Sequence, residues 1–186
     1  MNTMKRSKIA NALVLASLLT AATLVLAGPA HAGSTTSNLA VTASIAANCT
    51  ISTTAVAFGP YDPVVANAST ALNATGTVII GCTKGSAPAI TLGLGSNAVG
   101  SQRNMLNGSN TDVLGYQLYQ PTSTALPSTC TFPGTTVWGT TGSNIFTPTV
   151  PASKATRTYS ICGTVTAGQD VSVGSYSDTV VATVNF

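Results

Sequence analysis

The sequence contains no glutamate, and its single histidine is His31, near the N-terminus. Charged residues of all kinds make up only 6% of the chain. Histidine is the usual general base near neutral pH and the commonest metal ligand. Beyond position 31 the chain therefore cannot assemble a Ser-His-Asp triad or a histidine-based zinc or copper site. Aromatic residues are also few, at 5%. Past residue 32 there is no apolar run long enough to cross a bilayer, which takes roughly 20 residues. There is no basic cluster there either for nucleic acid or an anionic lipid surface. Segments with a sustained helical period are missing, while Thr, Val, Ser, Gly and Asn dominate, a composition of strands and turns.

What is present begins with an export signal. Lys5, Arg6 and Lys8 precede an apolar run from Ile9 to Leu26, followed by the small-x-small triplet Ala30-His31-Ala32. That order predicts a signal peptide over residues 1–32, cleaved after Ala32. A retained membrane anchor is the competing reading, but Asn11, Ser17, Thr20 and Thr23 dilute the run. Residues 33–186 then form a chain of 154 residues, a length that suits one domain. In it Lys84, Arg103, Lys154 and Arg157 balance Asp62, Asp112, Asp170 and Asp178. Low net charge favours association, as befits a protein built into an assembly.

Four cysteines remain, Cys49, Cys82, Cys130 and Cys162. Export to an oxidising compartment predicts two disulfides. The alternative, a four-cysteine zinc site, ordinarily uses close C-x₂-C pairs, and none occurs here. Four cysteines allow three pairings, which sequence does not decide.

Alternating or β-rich runs predict strands at Leu39–Ile45, Thr50–Phe58, Thr75–Thr83, Ile90–Leu94, Leu114–Leu118, Thr156–Val165 and Tyr176–Phe186. Shorter candidates are Val137-Trp138 and Ile145-Phe146. Turn residues separate them at Gly59-Pro60, Asn73, Gly85-Ser86, Asn107-Gly108, Pro133-Gly134 and Gly168. Residues 120–143, rich in Pro, Thr, Ser and Gly, read as a long loop pinned by Cys130. Seven or more short strands with frequent turns predict an all-β sandwich.

Two edges carry the candidate function. In residues 33–48 a polar start gives way to alternation, with Leu39, Val41, Ala43 and Ile45 on one face. Such a strand either belongs to its own sandwich or pairs with a neighbouring subunit's sheet, and the pattern by itself favours the first reading. At the other end Tyr176, Val180, Ala182, Val184 and Phe186 share a face of a last strand. Only Asp178 and no proline protects that edge from association. A spare strand and an open edge on one chain together fit head-to-tail polymerisation.

The same residues carry a resemblance. Gly174-Ser175-Tyr176-Ser177-Asp178-Thr179-Val180 followed by Val184-Asn185-Phe186, Cys49-Thr50-Ile51, Phe58-Gly59-Pro60-Tyr61, Val78-Ile79-Ile80-Gly81-Cys82, Tyr116-Gln117-Leu118-Tyr119 and Val137-Trp138-Gly139 resemble the spore coat protein U domain family. That family includes secreted coat proteins and subunits of archaic chaperone–usher pili. The resemblance implies an incomplete immunoglobulin-like β-sandwich, residues 49–186, that lacks its final strand. It also implies an N-terminal donor strand in residues 33–48. A periplasmic chaperone would fill the gap first, an outer-membrane usher would assemble the fibre, and the next copy or a related pilin would supply Leu39–Ile45. Tyr176, Val180, Ala182, Val184 and Phe186 become the chaperone and acceptor edge. The resemblance further implies a Cys49–Cys82 bond, with Cys130–Cys162 as the looser second pair.

The expectation is a non-enzymatic structural subunit of a surface pilus, exported through the periplasm, serving adhesion and biofilm formation, with no cofactor, no nucleic-acid partner and no membrane insertion after cleavage. A coat or matrix protein complemented by its own N-terminal strand is the alternative. A ligand-binding tip adhesin would ordinarily carry a second domain, for which there is no room. Trp138 reads as a core anchor, and Asp112, Asp170 and Asp178 as turn or surface carboxylates. No pairing of carboxylates suggests a glycosidase.

Overall fold

The computed structural model describes residues 31–186. The predicted signal peptide therefore lies, except for His31 and Ala32, outside the described residues. The chain divides into two units, Met1–Thr42 and Ala43–Phe186. In the first, the described residues form neither helix nor strand and are exposed.

The second unit holds eight strands: β1 (Cys49–Thr54), β2 (Leu72–Cys82), β3 (Ala89–Leu92), β4 (Arg103–Asn107), β5 (Val113–Tyr119), β6 (Arg157–Val165), β7 (Tyr176–Ser177) and β8 (Ala182–Asn185). A single 3₁₀ turn at Gly142–Asn144 is the only helical element among the described residues. Strands β1-β2-β6-β5-β4-β7 form one antiparallel sheet, and β3-β8 a second. The protein is an all-β, immunoglobulin-like sandwich.

Alternation along β2 creates the core. Val78, Ile80 and Cys82 are buried while their neighbours are half-exposed, the period of two expected of a strand with one covered face. Tyr159 and Ile161 of β6 and Leu114, Tyr116 and Leu118 of β5 complete this inner surface. Facing it are Ile90 and Leu92 of β3, with Trp138 and Phe146 from the long connection. Trp138 is fully buried, its indole N–H donates to the Ile90 carbonyl at 2.9 Å, and its ring lies 4.9 Å from Phe146. The core-anchor reading of Trp138 thus matches its place. Disulfides join Cys49 to Cys82, across the β1–β2 ladder, and Cys130 to Cys162, which ties the 120–143 connection to β6.

Residues 39–45, expected as a strand, form none, and three further elements depart from the sequence reading. The strand expected over Thr50–Phe58 leaves its ladder after Thr54. The chain there turns across the sheet, and Val56 and Phe58 pass over two glycines. A Cβ on Gly163 would stand 2.6 Å from Val56 Cγ1 and 2.8 Å from Phe58 Cζ; one on Gly76 would stand 2.7 Å from Val56 Cγ2. Strand β4 was not expected, because Arg103, Asn104 and Asn107 do not read as core residues, yet all three are buried. The last strand is split into β7 and β8, because Asp178 turns its carboxylate onto the amides of Ser96 and Asn97.

Candidate subunit interface

Strand β1 is one edge of the large sheet, whose other edge is β7, and β8 is an edge of the small one. Strands β1 and β8 run close to each other without pairing. Almost every residue of β1 is exposed, on both faces of the strand, so the strand covers little of its own domain. Between the two edges lies an apolar groove of about 320 Å³ with Leu92, Tyr116, Leu118 and Ile161 among its walls and Val180 and Ala182 along the β8 side. Past Val56, Met105 and Tyr176, which border both spaces, it continues into a wider chamber of about 880 Å³ lined by Phe58, Tyr61, Leu114 and the loop 171–176.

Of the C-terminal residues singled out from the sequence, Tyr176, Val180 and Ala182 line this groove, whereas Val184 and Phe186 lie farther along the chain, outside it. Tyr176 pairs with Asn107 and Ser177 with Leu106, whereas Ala182 and Val184 pair with Leu92 and Ile90. Tyr176, Val180, Ala182 and Val184 are half-buried and alternate with exposed Thr179, Val181 and Thr183. Phe186 is 55% exposed, beyond the end of β8. The face assigned to these residues is therefore turned inward, up to the last position.

The N-terminal set is placed differently. Leu39, Val41 and Ile45 are 87%, 86% and 87% exposed, and residues 39–45 form no strand. Close to where β1 begins, Asn48 is held by Thr83: the Thr83 amide donates to the Asn48 carbonyl at 2.9 Å, and the Asn48 amide to Thr83 Oγ1 at 3.1 Å.

Two polar networks stiffen the groove, and neither was visible in the sequence. Asp178 Oδ1 accepts the amides of Ser96, Asn97 and Thr179 at 2.9, 3.2 and 2.8 Å and the Asn97 side-chain amide at 3.1 Å. Its Oδ2 accepts the Tyr116 hydroxyl at 2.7 Å. Burial first, and the bond to Asp178 second, raise the pKa of that phenol. Behind it the fully buried Arg103 guanidinium donates to the carbonyls of Leu92, Gly93 and Trp138 and to the Gln117 side chain. Desolvation lowers its pKa, opposed by the nearby Tyr116 and Asp178. Main-chain carbonyls in place of a carboxylate thus satisfy this charge, tying β4, β3 and the Trp138 segment together. The signal that could have found it is an arginine inside an otherwise uncharged, strand-rich stretch.

At the far end of the groove Asp62 accepts the amides of Val64, Val65 and Ala66, which lower its pKa and shape the 62–66 turn. Asp112 accepts the Ser172 amide at 3.0 Å, and Ser172 likewise holds its carboxyl low. Among the described residues no cluster of His, Cys, Asp or Glu could hold a metal ion, and no helix is long and apolar enough to cross a membrane.

Comparison with known proteins agrees with this architecture. Protein U of Myxococcus xanthus is 36% identical over 185 residues, covering 92% of this chain and 96% of that protein. Among solved structures, the CsuC-CsuE chaperone–tip adhesion subunit pre-assembly complex from the archaic chaperone-usher Csu pili of Acinetobacter baumannii superposes with a TM-score of 0.52. That match covers 76% of this chain at 19% identity and spans 40% of the matched chain, a likeness of fold. The Spore Coat Protein U domain family matches residues 35–183, and the chain belongs to that family.

Proposed function

We propose that this protein is a structural, non-catalytic subunit of a chaperone–usher surface pilus, polymerised by strand donation. The observation that carries the reading is the pairing of opposites on one chain. An apolar groove lies open between β1 and β8, and an alternating apolar segment, Leu39-Val41-Ala43-Ile45, stands exposed and belongs to no strand. Insertion of that segment from a second copy would satisfy backbone groups on both free edges and complete the core. Burial of Leu39, Val41 and Ile45 would contribute roughly 5–9 kcal/mol before the costs of association.

An open apolar groove is a hazard during export. A periplasmic chaperone would hold the β8 edge, from Tyr176 through Val180, Ala182 and Val184 to Phe186, until an outer-membrane usher brings the next subunit. Cell-surface fibres made this way would serve adhesion and biofilm formation. In this reading residues 1–32 are removed, residues 33–48 donate and residues 49–186 accept.

Val41→Asp and Ile45→Asp test the assignment. A charge in the groove should abolish heat-labile multimers in material sheared from expressing cells, while secretion persists. Normal multimers from both variants would contradict strand donation by this segment.

A further inference from the structure

The ionised side chains of residues 33–186 are sorted by position. Arg103 and Asp178 belong to the interior networks; the other six divide into two groups at opposite ends of β2 and β6. Lys84 follows the end of β2, Lys154 precedes β6, and Arg157 opens β6. The loops bearing the lysines are joined where the Gly85 amide donates to the Pro151 carbonyl at 3.0 Å. At the other end Asp112 immediately precedes β5, whose start runs past the end of β6, where Tyr116 pairs with Val165, and Asp170 follows β6. Asp62 is brought to the same end, because Tyr61 donates to the Thr166 carbonyl and the Asn67 carbonyl accepts the Gly168 amide.

Strands β2 and β6 pair from Leu72↔Val165 to Ile80↔Arg157. At about 3.4 Å per residue the two ends stand roughly 27 Å apart. That is well beyond the screening length of about 8–10 Å at ordinary ionic strength, so the poles do not neutralise each other within one subunit. Lys84, Lys154 and Asp170 are exposed, and Asp62 and Asp112 partly so; the Arg157 guanidinium is held inward, over the Tyr159 ring with Nη1 donating to the Thr149 carbonyl and Nε and Nη2 buried. The poles also coincide with the two parts of the proposed interface. Asn48, before which the apolar segment ends, is held at the basic pole by Thr83. The wide chamber of the groove opens at the acidic pole, with Asp62 and Ser172 in its wall.

We propose that the basic pole of one copy, the exposed Lys84 and Lys154 with the charge of Arg157 behind them, docks on the acidic pole of the next, Asp62, Asp112 and Asp170, in a head-to-tail contact that orients the donated strand before it inserts. The partner is a second copy of this chain, because one chain carries both signs in equal number at opposite ends. A contact between unlike ends repeats without closing, as a fibre requires. Its work is in the encounter: exposed ion pairs add little affinity, but complementary fields raise association rates. The orienting role rests on the strand-donation reading; the segregation of charge does not.

The test compares the wild type with Asp170→Lys and with the double variant Lys84→Glu/Lys154→Glu. All replaced side chains are exposed, and equal thermal melting of the three proteins checks folding. Multimer appearance in sheared material is followed after induction in media of low and high ionic strength. Both variants should slow multimer formation about tenfold at low salt, the double variant more because its two poles then carry the same sign. The wild type should slow as salt rises, whereas the double variant should speed up as its repulsion is screened. Variants that assemble at the wild-type rate would overturn the docking proposal and leave strand donation standing. A double variant that salt does not speed would do the same. A wild-type chain that forms no multimers at any salt would overturn both.

Discussion

The hydroxyl of Tyr116, on β5, donates to the carboxylate of Asp178, between β7 and β8, at 2.7 Å. This bond joins the large sheet to the approach of the last strand, across the side of the groove. Because the same carboxylate also takes three amides, removing it would release the 94–97 turn and the β8 edge together. Asp178→Ala should destabilise the fold by about 2–4 kcal/mol, and Tyr116→Phe by about 1–2 kcal/mol, since bonds to a charged acceptor are worth about 1.5–3 kcal/mol. Denaturant melts of both variants and their combination form a cycle. A coupling of about 1 kcal/mol or more is expected, and strict additivity would mean the two groups do not cooperate.

The same pair fixes the behaviour in alkali. The folded-state pKa of Tyr116 is raised above its ordinary value of 10.0. The native state therefore holds the phenolic proton more tightly than the unfolded state. This contribution is fully present below pH 10 and is lost as the pH climbs from there towards the folded value. Tyr116→Phe should show a flatter loss of stability above pH 10 than the wild type. Parallel curves would remove Tyr116 as a source of alkaline sensitivity.

In acid the sign reverses. Asp62 and Asp112 have folded pKa values below their ordinary 3.8, held down by main-chain and Ser172 hydrogen bonds. Their stabilisation is present above pH 3.8 and disappears as the pH falls through the folded values. Asp62 lines the wide chamber and Asp112 holds Ser172 of its wall, so hydrogen exchange in residues 62–66 and 171–173 should rise below pH 4 before β2 and β6 exchange. Uniform exchange across the fold would contradict this ordering.

The glycines beneath the crossing chain give a steric prediction. A methyl at Gly163 would press on Val56 and Phe58 and push residues 55–58 off the sheet. Gly163→Ala should cost about 1–3 kcal/mol, as overpacking does, and Val56→Ala in the same chain should recover part of it. Failure of the second change to help would mean that the strain relaxes elsewhere.

The sandwich was legible wherever strands alternate, because a strand with one buried face must place apolar side chains every second residue. Hence β2, β3, β5 and β6 fall where Val78, Ile90, Leu114 and Ile161 predict them. The inward face of Tyr176, Val180, Ala182 and Val184 was readable for the same reason. Strand β4 was not, because Arg103 is buried through carbonyls brought from distant segments, and no local pattern announces such partners. The departure of the chain after Thr54 was equally hidden. Val56 and Phe58 continue the alternation, and only Gly76 and Gly163, far along the chain, permit the crossing. Segregation of charge likewise needs the strand register, since Lys84 and Lys154 are 70 positions apart in sequence.

The measurement that bears most directly on the central claim is an unheated, non-reducing gel of material sheared from expressing cells, beside a variant lacking residues 33–45. Strand donation predicts a ladder of multimers that collapses on boiling and is absent from the variant. A single monomer band in both lanes would contradict it and favour the coat-protein alternative, in which each chain completes its own sandwich.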